Sequence, residues 1–594
     1  MTARIASRRY FLLGIVALAT LFYFYALGRA DIVTDESSYA TRAIGLIDFD
    51  FGIEQPTPWQ WVDGLPPWWM HLSFHDHPPL VFLLQHYSIK LFGENPTAIR
   101  IPSALAGLAA VVFVYLIGRH ISDRQYLNTV QYYSIRSVGL ISAALFAVTV
   151  NHVWISRIGL QESVLIAFML ASFWTFLRGL ENKKWLLVSG VLLGIAFLAK
   201  YLALILVPIF ATILFIRRSA LPPRIAFYFL ISLFCFLVVA SPAIIYNTQL
   251  YRAFGHFDFQ FSLLFGQDVA AWQARPGQEV LGSFTDRIRN FVPFLVQSSS
   301  PYLLMLAALG LTAIIVQILL YTFYDRRKIT TRYPPLVHWP LAITVLWLIP
   351  FLVFIGPAPR FLTLLTPWLA LAAGYAITQV LHSNVLKNIG MKIIPFAAFA
   401  ALVAFESFYS YSSVIALDPR GPATWAYAPT LHRQSHSWGF NQLEHYLAGE
   451  LKGKMPDPAL TFEFPFAREI LNQARARGAE AGLEPVPWAI IYNDNINLSS
   501  TLWTFLRRIV YHGWPVTSAE EFRRGGAERF FRDSGVKRII FINPTPVVLQ
   551  DRTRADTPDG DLFETELKRR GAVPRELKNG RGEVAFRVFS FDLR

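Results

Sequence analysis

Long apolar runs separated by short polar stretches dominate the first 412 residues of the chain. A helix that crosses a bilayer needs about 20 mostly apolar residues, and most of these runs approach that length. They predict about eleven membrane helices, near residues 10–28, 100–118, 137–156, 160–178, 185–199, 201–216, 225–246, 300–323, 336–356, 361–381 and 393–412. The segment 78–93 is apolar but shorter and contains His86 and Lys90, which predicts a helix at the membrane interface.

The basic residues predict how these helices are oriented. If 78–93 does not cross the membrane, the basic stretches between the helices all fall on one side, together with the N-terminus. They contain Arg4, Arg8, Arg9, Arg119, Arg124, Arg136, Lys183, Lys184, Arg217, Arg218, Arg224, Arg326, Arg327, Lys328, Arg332, Lys387 and Lys392. The positive-inside rule makes that side cytoplasmic. A full span at 78–93 would move every later basic loop to the outside.

Composition supports a polytopic helical membrane protein. Of the 594 residues, 54% are hydrophobic and 16% are charged, whereas soluble domains contain about 25% charged residues. The net charge of +14 comes from Lys and Arg in short loops, so it indicates orientation and not nucleic-acid binding. Cys235 is the only cysteine, which excludes a disulfide framework and a zinc site built on thiolates. The first apolar run lacks a small-x-small cleavage site, so we expect a retained helix.

The residues from 413 onward are polar and charged, and numerous enough for a domain. Strands are predicted at VPWAIIYND, KRIIFINP and EVAFRVFSF, and helices at TLWTFLRRIV, SAEEFRRGGAERFFRDSG and DLFETELKRRG. This alternation predicts a small α/β domain with a largely parallel sheet. We therefore expect a transmembrane domain over 1–412, with long outer loops at 29–99 and 247–299, and an outer α/β domain over 413–594.

The first outer loop contains two pairs of ionisable residues. Asp35 and Glu36 open the stretch TDESSYATRAIGL, whose apolar residues recur at helical spacing. They predict an amphipathic helix on the membrane surface, with Asp35 near its N-terminus, where negative charge is favoured. Asp76 and His77 directly precede Pro78 and Pro79, which make the backbone rigid at the start of the next helix.

Other charged residues lie at the outer ends of predicted helices. Arg157 and Glu162 flank one outer turn, Lys200 occupies a second, and Arg360 a third. A lone charge at such a position is usually a snorkelling anchor, whereas several on one face indicate function. Glu162 either pairs with Arg157 as a structural bridge or acts directly. His256 and Asp258, in the second long loop, either line an acceptor entrance or belong to an aromatic interface anchor.

A membrane-borne phosphate would explain several cations on one membrane face. Arg and Lys bind phosphate, and they stabilise the charge that builds on a departing phosphate. A carboxylate could then accept the proton of an incoming hydroxyl as general base. This chemistry points to glycosyl transfer from a polyprenyl-phosphate sugar with inversion at the anomeric carbon. A transporter or flippase of a lipid-linked or anionic substrate is the alternative, although such proteins place charges near the midplane between repeated halves.

The motifs also resemble those of the membrane-embedded GT-C glycosyltransferases, specifically the protein O-mannosyltransferases and the lipid A aminoarabinose transferase. The matching stretches are TDESSYA, HDHPPL with LFG, AIRIPSALAG, SRIGLQES, GVLLGIAFLAK and RFLTLLTP, in the family's order. The resemblance implies the GT-C fold, a bacterial inner-membrane location, and an active site on the periplasmic face. It also implies a polyprenyl-phosphate-linked sugar as donor and a lipid, glycan or protein as acceptor.

The resemblance also assigns roles by position. Asp35 matches the family's catalytic acid, and Glu36 its acidic neighbour. Asp76 and His77 match an acidic–basic pair before the prolines, and Arg157 and Lys200 match positions expected near the carrier phosphate. Arg360 matches the basic residue of an R-Y/F-L motif and is a further candidate for binding the donor phosphate. Two positions depart from the aminoarabinose transferase: Ser38 stands where that enzyme has an Arg, and Asp76–His77 replaces a Glu–Lys pair. The substrate of that enzyme is therefore not assigned to this chain.

A metal ion is a further candidate partner, although no cofactor is certain. Asp, Glu and His are suitable ligands for divalent cations, so Asp35, Glu36, Asp76 and His77 are candidate metal ligands. The alternative for Asp76 and His77 is a hydrogen-bonded loop staple. For Asp35 it is a helix N-cap, which is compatible with catalysis. Glu36 either binds a metal, orients the acceptor or faces solvent.

Overall fold

A computed structural model of the chain describes residues 2–49, 57–123, 137–218, 223–267, 282–324, 339–381, 389–416, 436–457, 462–496, 498–549 and 557–593. The chain divides into two compact units. The first, the membrane unit, comprises residues 1–27, 72–84 and 100–432. The second, the mixed unit, comprises residues 28–71, 85–99 and 433–594. The predicted basic residues between 124 and 136, between 325 and 338, and at Lys387 lie outside the described residues, as does part of the loop 247–299.

Helices account for most of the described chain up to residue 410. They are α1 (Thr2–Phe24), α2 (Asp35–Gly45), α3 (Leu80–Phe92), α4 (Pro96–Asp123), α5 (Ser137–Val148), α6 (Val150–Ser156), α7 (Glu162–Gly179), α8 (Trp185–Ala199), α9 (Leu206–Arg217), α10 (Ile225–Phe254), α11 (Phe259–Leu264), α12 (Phe284–Gln297), α13 (Pro301–Tyr324), α14 (Trp339–Ile355), α15 (Pro359–Leu362), α16 (Thr366–Leu381) and α17 (Ile389–Ser410). Short 3₁₀ helices occupy Pro58–Trp61, Trp68–His71 and Tyr201–Ile205.

Several of these helices are apolar enough to cross a membrane. Within the described residues, five meet both length and composition, at Pro96–Ile121, Glu162–Gly179, Ile225–Phe254, Pro301–Leu319 and Ile393–Ile415. A bent pair is a sixth candidate, and shorter apolar helices lie at Arg9–Phe24, Leu80–Phe92, Trp185–Ala199, Tyr201–Arg217 and Trp339–Ile355. The protein is therefore a multi-pass helical membrane protein, and the count of about eleven spans stays a prediction.

The bent pair corrects one predicted helix. The sequence predicts one continuous helix over 137–156, but α5 and α6 meet at an angle of 64°. Thr149 lies between them in an extended conformation, with φ −65° and ψ 130°, and its hydroxyl donates to the Leu145 carbonyl at 2.9 Å. The hydroxyl thus satisfies a carbonyl near the end of α5 with a hydrogen bond, and the extended backbone at Thr149 interrupts the helix.

Small residues bring helices α8 and α10 of the membrane unit close together. A Cβ atom at Gly190 would collide with the backbone carbonyl of Ser232, and one at Gly194 would collide with Val239. Such small residues allow backbones to approach closely, which favours packing between membrane helices. The end of α8 is thereby held where Lys200 begins the following turn.

The mixed unit contains seven described strands: β1 (Lys454–Pro456), β2 (Glu484–Val486), β3 (Trp488–Tyr492), β4 (Val516–Ser518), β5 (Arg538–Pro544), β6 (Arg575–Lys578) and β7 (Val584–Asp592). Five of them form a sheet of strand order β4-β3-β5-β7-β6, and β1 and β2 form a separate parallel pair. The helices around them are α18 (Phe440–Glu450), α19 (Pro465–Glu480), α20 (Leu498–Thr501), α21 (Arg507–His512), α22 (Ala519–Arg524), α23 (Ala527–Asp533), α24 (Pro546–Leu549) and α25 (Asp559–Arg569).

The predicted strands and helices of the tail lie where the sequence places them, but the sheet is not largely parallel. Strand β3 pairs in parallel with β4 and β5, whereas β7 pairs antiparallel with β5 and β6. The β6–β7 connection is short, so these two strands form an antiparallel hairpin. Parallel pairing needs a crossover, which only the earlier strands have.

Helix α2 corrects a second expectation. The sequence places its apolar face on the membrane surface, but in the mixed unit that face packs against protein. Ala40 and Ala43 of α2 share a buried cluster with Ile89, Ile99 and Trp503. Burial of apolar area stabilises this arrangement by about 25 cal/mol per Å². The parts of the first outer loop before residue 72 and after residue 84 therefore belong to the same compact unit as residues 433–594, whereas residues 72–84 belong to the membrane unit.

Candidate active site

Two of the predicted site residues form a buried ion pair in the membrane unit. Glu162 is the first residue of α7, and Lys200 follows the last residue of α8 in an extended conformation. Lys200 Nζ lies 2.5 Å from Glu162 Oε1, and the side chains are only 4% and 1% exposed. Of the two alternatives for Glu162, the bridge to Arg157 is not the one formed, because Lys200 takes that place.

Arg360 and Phe361 lie beside this pair. Helix α15 begins with proline at its first position, which favours helix initiation there. Lys200 Nζ lies 4.8 Å and the Arg360 guanidinium carbon 5.0 Å from the centroid of the Phe361 ring. Both cations interact electrostatically with Glu162. One carboxylate thus faces two cations, and Arg and Lys are the side chains that bind phosphate oxygens.

Arg157 has a different set of partners. Its Nη1 donates to the carbonyls of Phe22 at 2.7 Å and Tyr25 at 2.9 Å, and its Nη2 donates to that of Ala26 at 3.3 Å. These carbonyls belong to the C-terminal end of α1, where a cation is favoured by the helix dipole. Burial, together with the nearby charge of Arg100, lowers the pKa of Arg157 to about 10. Arg157 therefore holds the end of α1.

Asp76 and His77 form a pair, as expected. His77 Nδ1 lies 3.0 Å from Asp76 Oδ1, and His75 Nδ1 lies 3.9 Å from the same oxygen. The backbone of this turn is held by α11, because Phe259 N donates to the His75 carbonyl and Gln260 Nε2 to the Asp76 carbonyl, each at 2.8 Å. The turn that carries Asp76 is thus fixed by the second outer loop.

Asp258 caps the helix α11 that holds this turn. It is fully buried, so it does not line an entrance. Its carboxylate accepts hydrogen bonds from Tyr201 Oη at 2.8 Å, Asn247 Nδ2 at 2.9 Å and Phe261 N at 2.8 Å. Burial raises the pKa of Asp258 to about 6, and the nearby charge of Asp76 adds to the increase. Tyr201 directly follows Lys200, so Asp258 connects the Lys200 turn with the Asp76 turn.

The sequence did not single out Tyr201, and for Asp258 it gave only weak signals. Asp258 precedes a short apolar helix and accepts from its third residue, which is an N-cap pattern. The Tyr201 hydroxyl could not be assigned a partner because that partner lies 57 residues further along the chain.

Asp35 and Glu36 belong to the mixed unit, where they open α2. Asp35 is exposed, whereas Glu36 is only 1% exposed. Glu36 therefore does not face solvent, which removes one of its three expected roles. The preceding residue, Thr34, has φ 60° and ψ −150°. That region is essentially restricted to glycine, and a β-branched residue there costs about 1–3 kcal/mol. Strain of this kind concentrates at functional sites.

The described residues contain no group of three or more His, Cys, Asp or Glu side chains that could hold a metal ion. Asp76 and His77 lie together in the membrane unit. A metal-binding role for Asp35, Glu36, Asp76 and His77 stays a prediction.

The helices and this cluster define a class of protein: a multi-pass membrane protein with a cluster of charged residues at its helix ends. Residues 76–246 match the family of dolichyl-phosphate-mannose-protein mannosyltransferases. This segment contains Asp76, His77, Arg157, Glu162 and Lys200. The resemblance to the protein mannosyltransferases that the motifs predict is therefore confirmed over this segment.

Individual relatives are more distant. A stretch of 148 residues is 25% identical to the Bacillus subtilis (strain 168) protein YkcB, which carries a provisional mannosyltransferase name; it covers 24% of this chain and 19% of that relative. Among solved structures, ArnT from Cupriavidus metallidurans in the apo state is similar at 14% identity over 98% of each chain, with a TM-score of 0.47. The same protein bound to undecaprenyl phosphate gives 14% identity over 97% of each chain and a TM-score of 0.46.

Proposed function

We propose that the protein is an inverting glycosyltransferase that moves a sugar from a polyprenyl phosphate to a hydroxyl group of a periplasmic acceptor. The observation that carries the proposal is the cluster of Lys200 and Arg360 around Glu162 and Phe361. The family match over 76–246 supports the same assignment. The proposal places the enzyme in a bacterial inner membrane, with a cytoplasmic N-terminus and with residues 413–594 in the periplasm.

In this proposal Lys200 and Arg360 bind the phosphate of the donor. Glu162 holds Lys200 in place and offsets part of its charge, and Phe361 gives both cations an aromatic surface. Arg157 keeps the end of α1 in position, because its guanidinium already donates to that helix end. Cations that face a departing phosphate stabilise the charge that develops on it.

Asp35 is the proposed general base. It accepts the proton of the acceptor hydroxyl while the acceptor oxygen forms a bond to the anomeric carbon of the sugar. The bond from that carbon to the phosphate oxygen breaks in the same displacement, and the polyprenyl phosphate leaves with the electron pair. Because a lipid phosphate leaves without being protonated, one carboxylate is sufficient for the chemistry.

The test is to measure the release of polyprenyl phosphate by the purified enzyme from a panel of polyprenyl-phosphate sugars. Asp35→Asn should lower the rate about 100-fold or more, since general-base catalysis contributes about 10²–10⁴. Asp63→Asn is the matched control, because Asp63 is exposed in the same outer loop. It should retain full activity.

Two outcomes separate this proposal from the alternative of a lipid flippase. Normal release by Asp35→Asn would remove Asp35 as the base. If no sugar of the panel is released while the protein equilibrates lipid phosphates across a vesicle membrane, the flippase is correct and the transferase is not.

A further inference from the structure

The backbone at Thr34, one residue before the proposed base Asp35, has a conformation that threonine rarely adopts. Its φ of 60° and ψ of −150° lie in a region that only glycine enters readily. A β-branched residue in this region carries strain, and such strain persists only where the surrounding structure fixes the backbone. The contacts on the two sides of Thr34 are therefore expected to determine the position of Asp35.

On the N-terminal side, Asn441 of helix α18 holds the start of the first outer loop. Its side-chain Nδ2 donates to the carbonyl oxygens of Gly28 at 3.2 Å, Arg29 at 3.0 Å and Ala30 at 3.1 Å. Its backbone N–H donates to Asp31 Oδ1 at 2.8 Å. One residue of the tail (residues 433–594) thus contacts four consecutive residues of the loop.

The two residues between this contact and Thr34 are buried in the mixed unit. Ile32 belongs to an apolar cluster with Trp503, and Val33 belongs to another with Phe440. A shift of either side chain would expose apolar surface to water, which is unfavourable. The segment that joins the Asn441 contact to Thr34 is therefore fixed along its length.

On the C-terminal side, helix α2 is held as well. The backbone N–H and the hydroxyl of Ser37 both donate to the Thr34 carbonyl, at 3.0 Å and 2.9 Å. Thr41 Oγ1 donates to the Ser37 carbonyl at 2.8 Å, and the Tyr511 hydroxyl of α21 donates to the Thr41 carbonyl at 2.8 Å. Because both flanks of Thr34 are fixed, its backbone does not relax to an unstrained conformation.

We propose that Asn441 is a positioning residue for the transfer reaction. It keeps Thr34 in the strained conformation and thereby places the Asp35 carboxylate for its reaction with the acceptor hydroxyl. This inference rests on the proposed function, in which Asp35 is the general base. It gives the tail a part in catalysis, because the side chain that fixes the base belongs to the tail and acts through the backbone of the first outer loop.

The experiment measures the release of polyprenyl phosphate by full-length Asn441→Ala, with the panel sugar that the unchanged protein uses fastest. We expect kcat to fall about tenfold or more with the donor KM unchanged, because misplacing a reacting group by about 1 Å can cost about 100-fold in rate. Alanine is a good helix former and keeps the backbone N–H that donates to Asp31, so α18 stays folded. His445→Ala, at an exposed position of the same helix, is the control and should keep full kcat.

A second substitution separates positioning from a general loss of structure. Thr34→Gly permits the observed φ and ψ without strain, because glycine has no Cβ atom. In the Asn441→Ala protein it should therefore restore most of the lost kcat, since the backbone no longer gains by leaving this conformation. If Asn441 served only to attach the tail to the loop, a change at residue 34 would restore nothing.

Amide hydrogen exchange gives a readout that does not need catalysis. The backbone N–H of Ser37 donates to the Thr34 carbonyl, so its exchange reports on the conformation at Thr34. It should exchange about tenfold faster or more in Asn441→Ala than in the unchanged protein, because local opening becomes easier. Adding Thr34→Gly should slow this exchange again.

The outcomes distinguish a failure of this inference from a failure of the proposed function. Normal kcat in Asn441→Ala, while Asp35→Asn is inactive, would overturn the positioning role alone. Full activity of Asp35→Asn, or no release from any panel sugar, would overturn the proposed function and the positioning role with it. Lack of recovery with Thr34→Gly, or unchanged exchange at Ser37, would show that Asn441 does not act through Thr34.

Discussion

At the level of single residues, the ion pair of Lys200 with Glu162 is costly to bury and is also the centre of the proposed phosphate site. Removing two charges from water costs several kcal/mol per ion, and the mutual attraction offsets this only with good geometry. Both side chains are almost fully buried at helix ends, at 2.5 Å from each other. Such a pair is weak as a source of stability, so a functional reason for Lys200 carries more weight.

Substitution can separate the structural part of this pair from phosphate binding. Lys200→Met removes the hydrogen-bonded partner of the buried Glu162 carboxylate and should destabilise the protein by about 3–5 kcal/mol. The double variant Glu162→Gln/Lys200→Met removes both charges and should recover most of that loss, measured as thermal unfolding in detergent. Its release of polyprenyl phosphate should stay low, because the phosphate still lacks one of its two proposed cations, Lys200. Recovery of both stability and activity in the double variant would assign Lys200 a structural role only.

The sequence could identify these residues but not their partners. Helix periodicity and the position of charges at the ends of apolar runs located Glu162, Lys200 and Arg360. The choice of Lys200 as the partner of Glu162, 38 residues away, depends on how α7 and α8 pack, which no local pattern encodes. The nearby Arg157 was the plausible partner by distance along the chain, but its side chain donates to the end of α1 instead.

At the level of elements, the short helix α11 holds the turn that carries Asp76. Asp258 caps α11, and residues of α11 donate to the carbonyls of His75 and Asp76. The same carboxylate accepts from Tyr201, the first residue after Lys200. The second outer loop therefore fixes two site turns through one buried carboxyl group.

The raised pKa of Asp258 predicts a pH dependence of stability. Its folded pKa of about 6 exceeds the unfolded value of about 3.9, so between these values the folded state binds the proton more tightly. The stabilising contribution is therefore complete below about pH 4 and is lost as the pH rises through about 6, by roughly 3 kcal/mol. Thermal unfolding of the protein and of Asp258→Asn between pH 4 and 8 measures it. The difference between the two should change over this range; a constant difference would contradict the assignment.

Elements differ in how far the sequence determines them. Strands β3, β5 and β7 were predicted because short runs rich in β-branched and aromatic residues end at turn residues. The sequence does not predict the interruption of helix 137–156 at Thr149, because the apolar run continues across that residue. The apolar face of α2 was assigned to lipid because hydrophobicity alone does not distinguish lipid from protein as a partner. Its contact with Trp503 is a long-range feature of packing.

At the level of the whole molecule, the mixed unit combines two segments from the first outer loop with the distant residues 433–594. Its cores draw on the first outer loop as well as on the tail, since Val33 joins Phe440 and Phe586 in one cluster and Ile32 joins Trp503 in another. The loop that carries Asp35 is thus part of a folded unit. The domain predicted from composition begins at 413 and does not include that loop. Composition is compared between neighbouring stretches of the sequence, so it does not detect that two distant segments fold together.

Asp31 gives the final prediction, because it connects the first outer loop to helix α18. Its buried carboxylate accepts hydrogen bonds from the backbone N–H groups of Trp438 at 2.6 Å, Gly439 at 2.9 Å and Asn441 at 2.8 Å. These groups begin the helix, where an acceptor is favoured.

Asp31→Ala leaves these N–H groups without their acceptor and should destabilise the mixed unit by about 3 kcal/mol. Amide hydrogen exchange over Phe440–Glu450 should accelerate strongly, less so in Asp31→Asn, which keeps one acceptor oxygen. Asp63→Ala, at an exposed position of the same loop, is the control; equal exchange in Asp31→Ala and Asp63→Ala would show that the loop does not hold this helix.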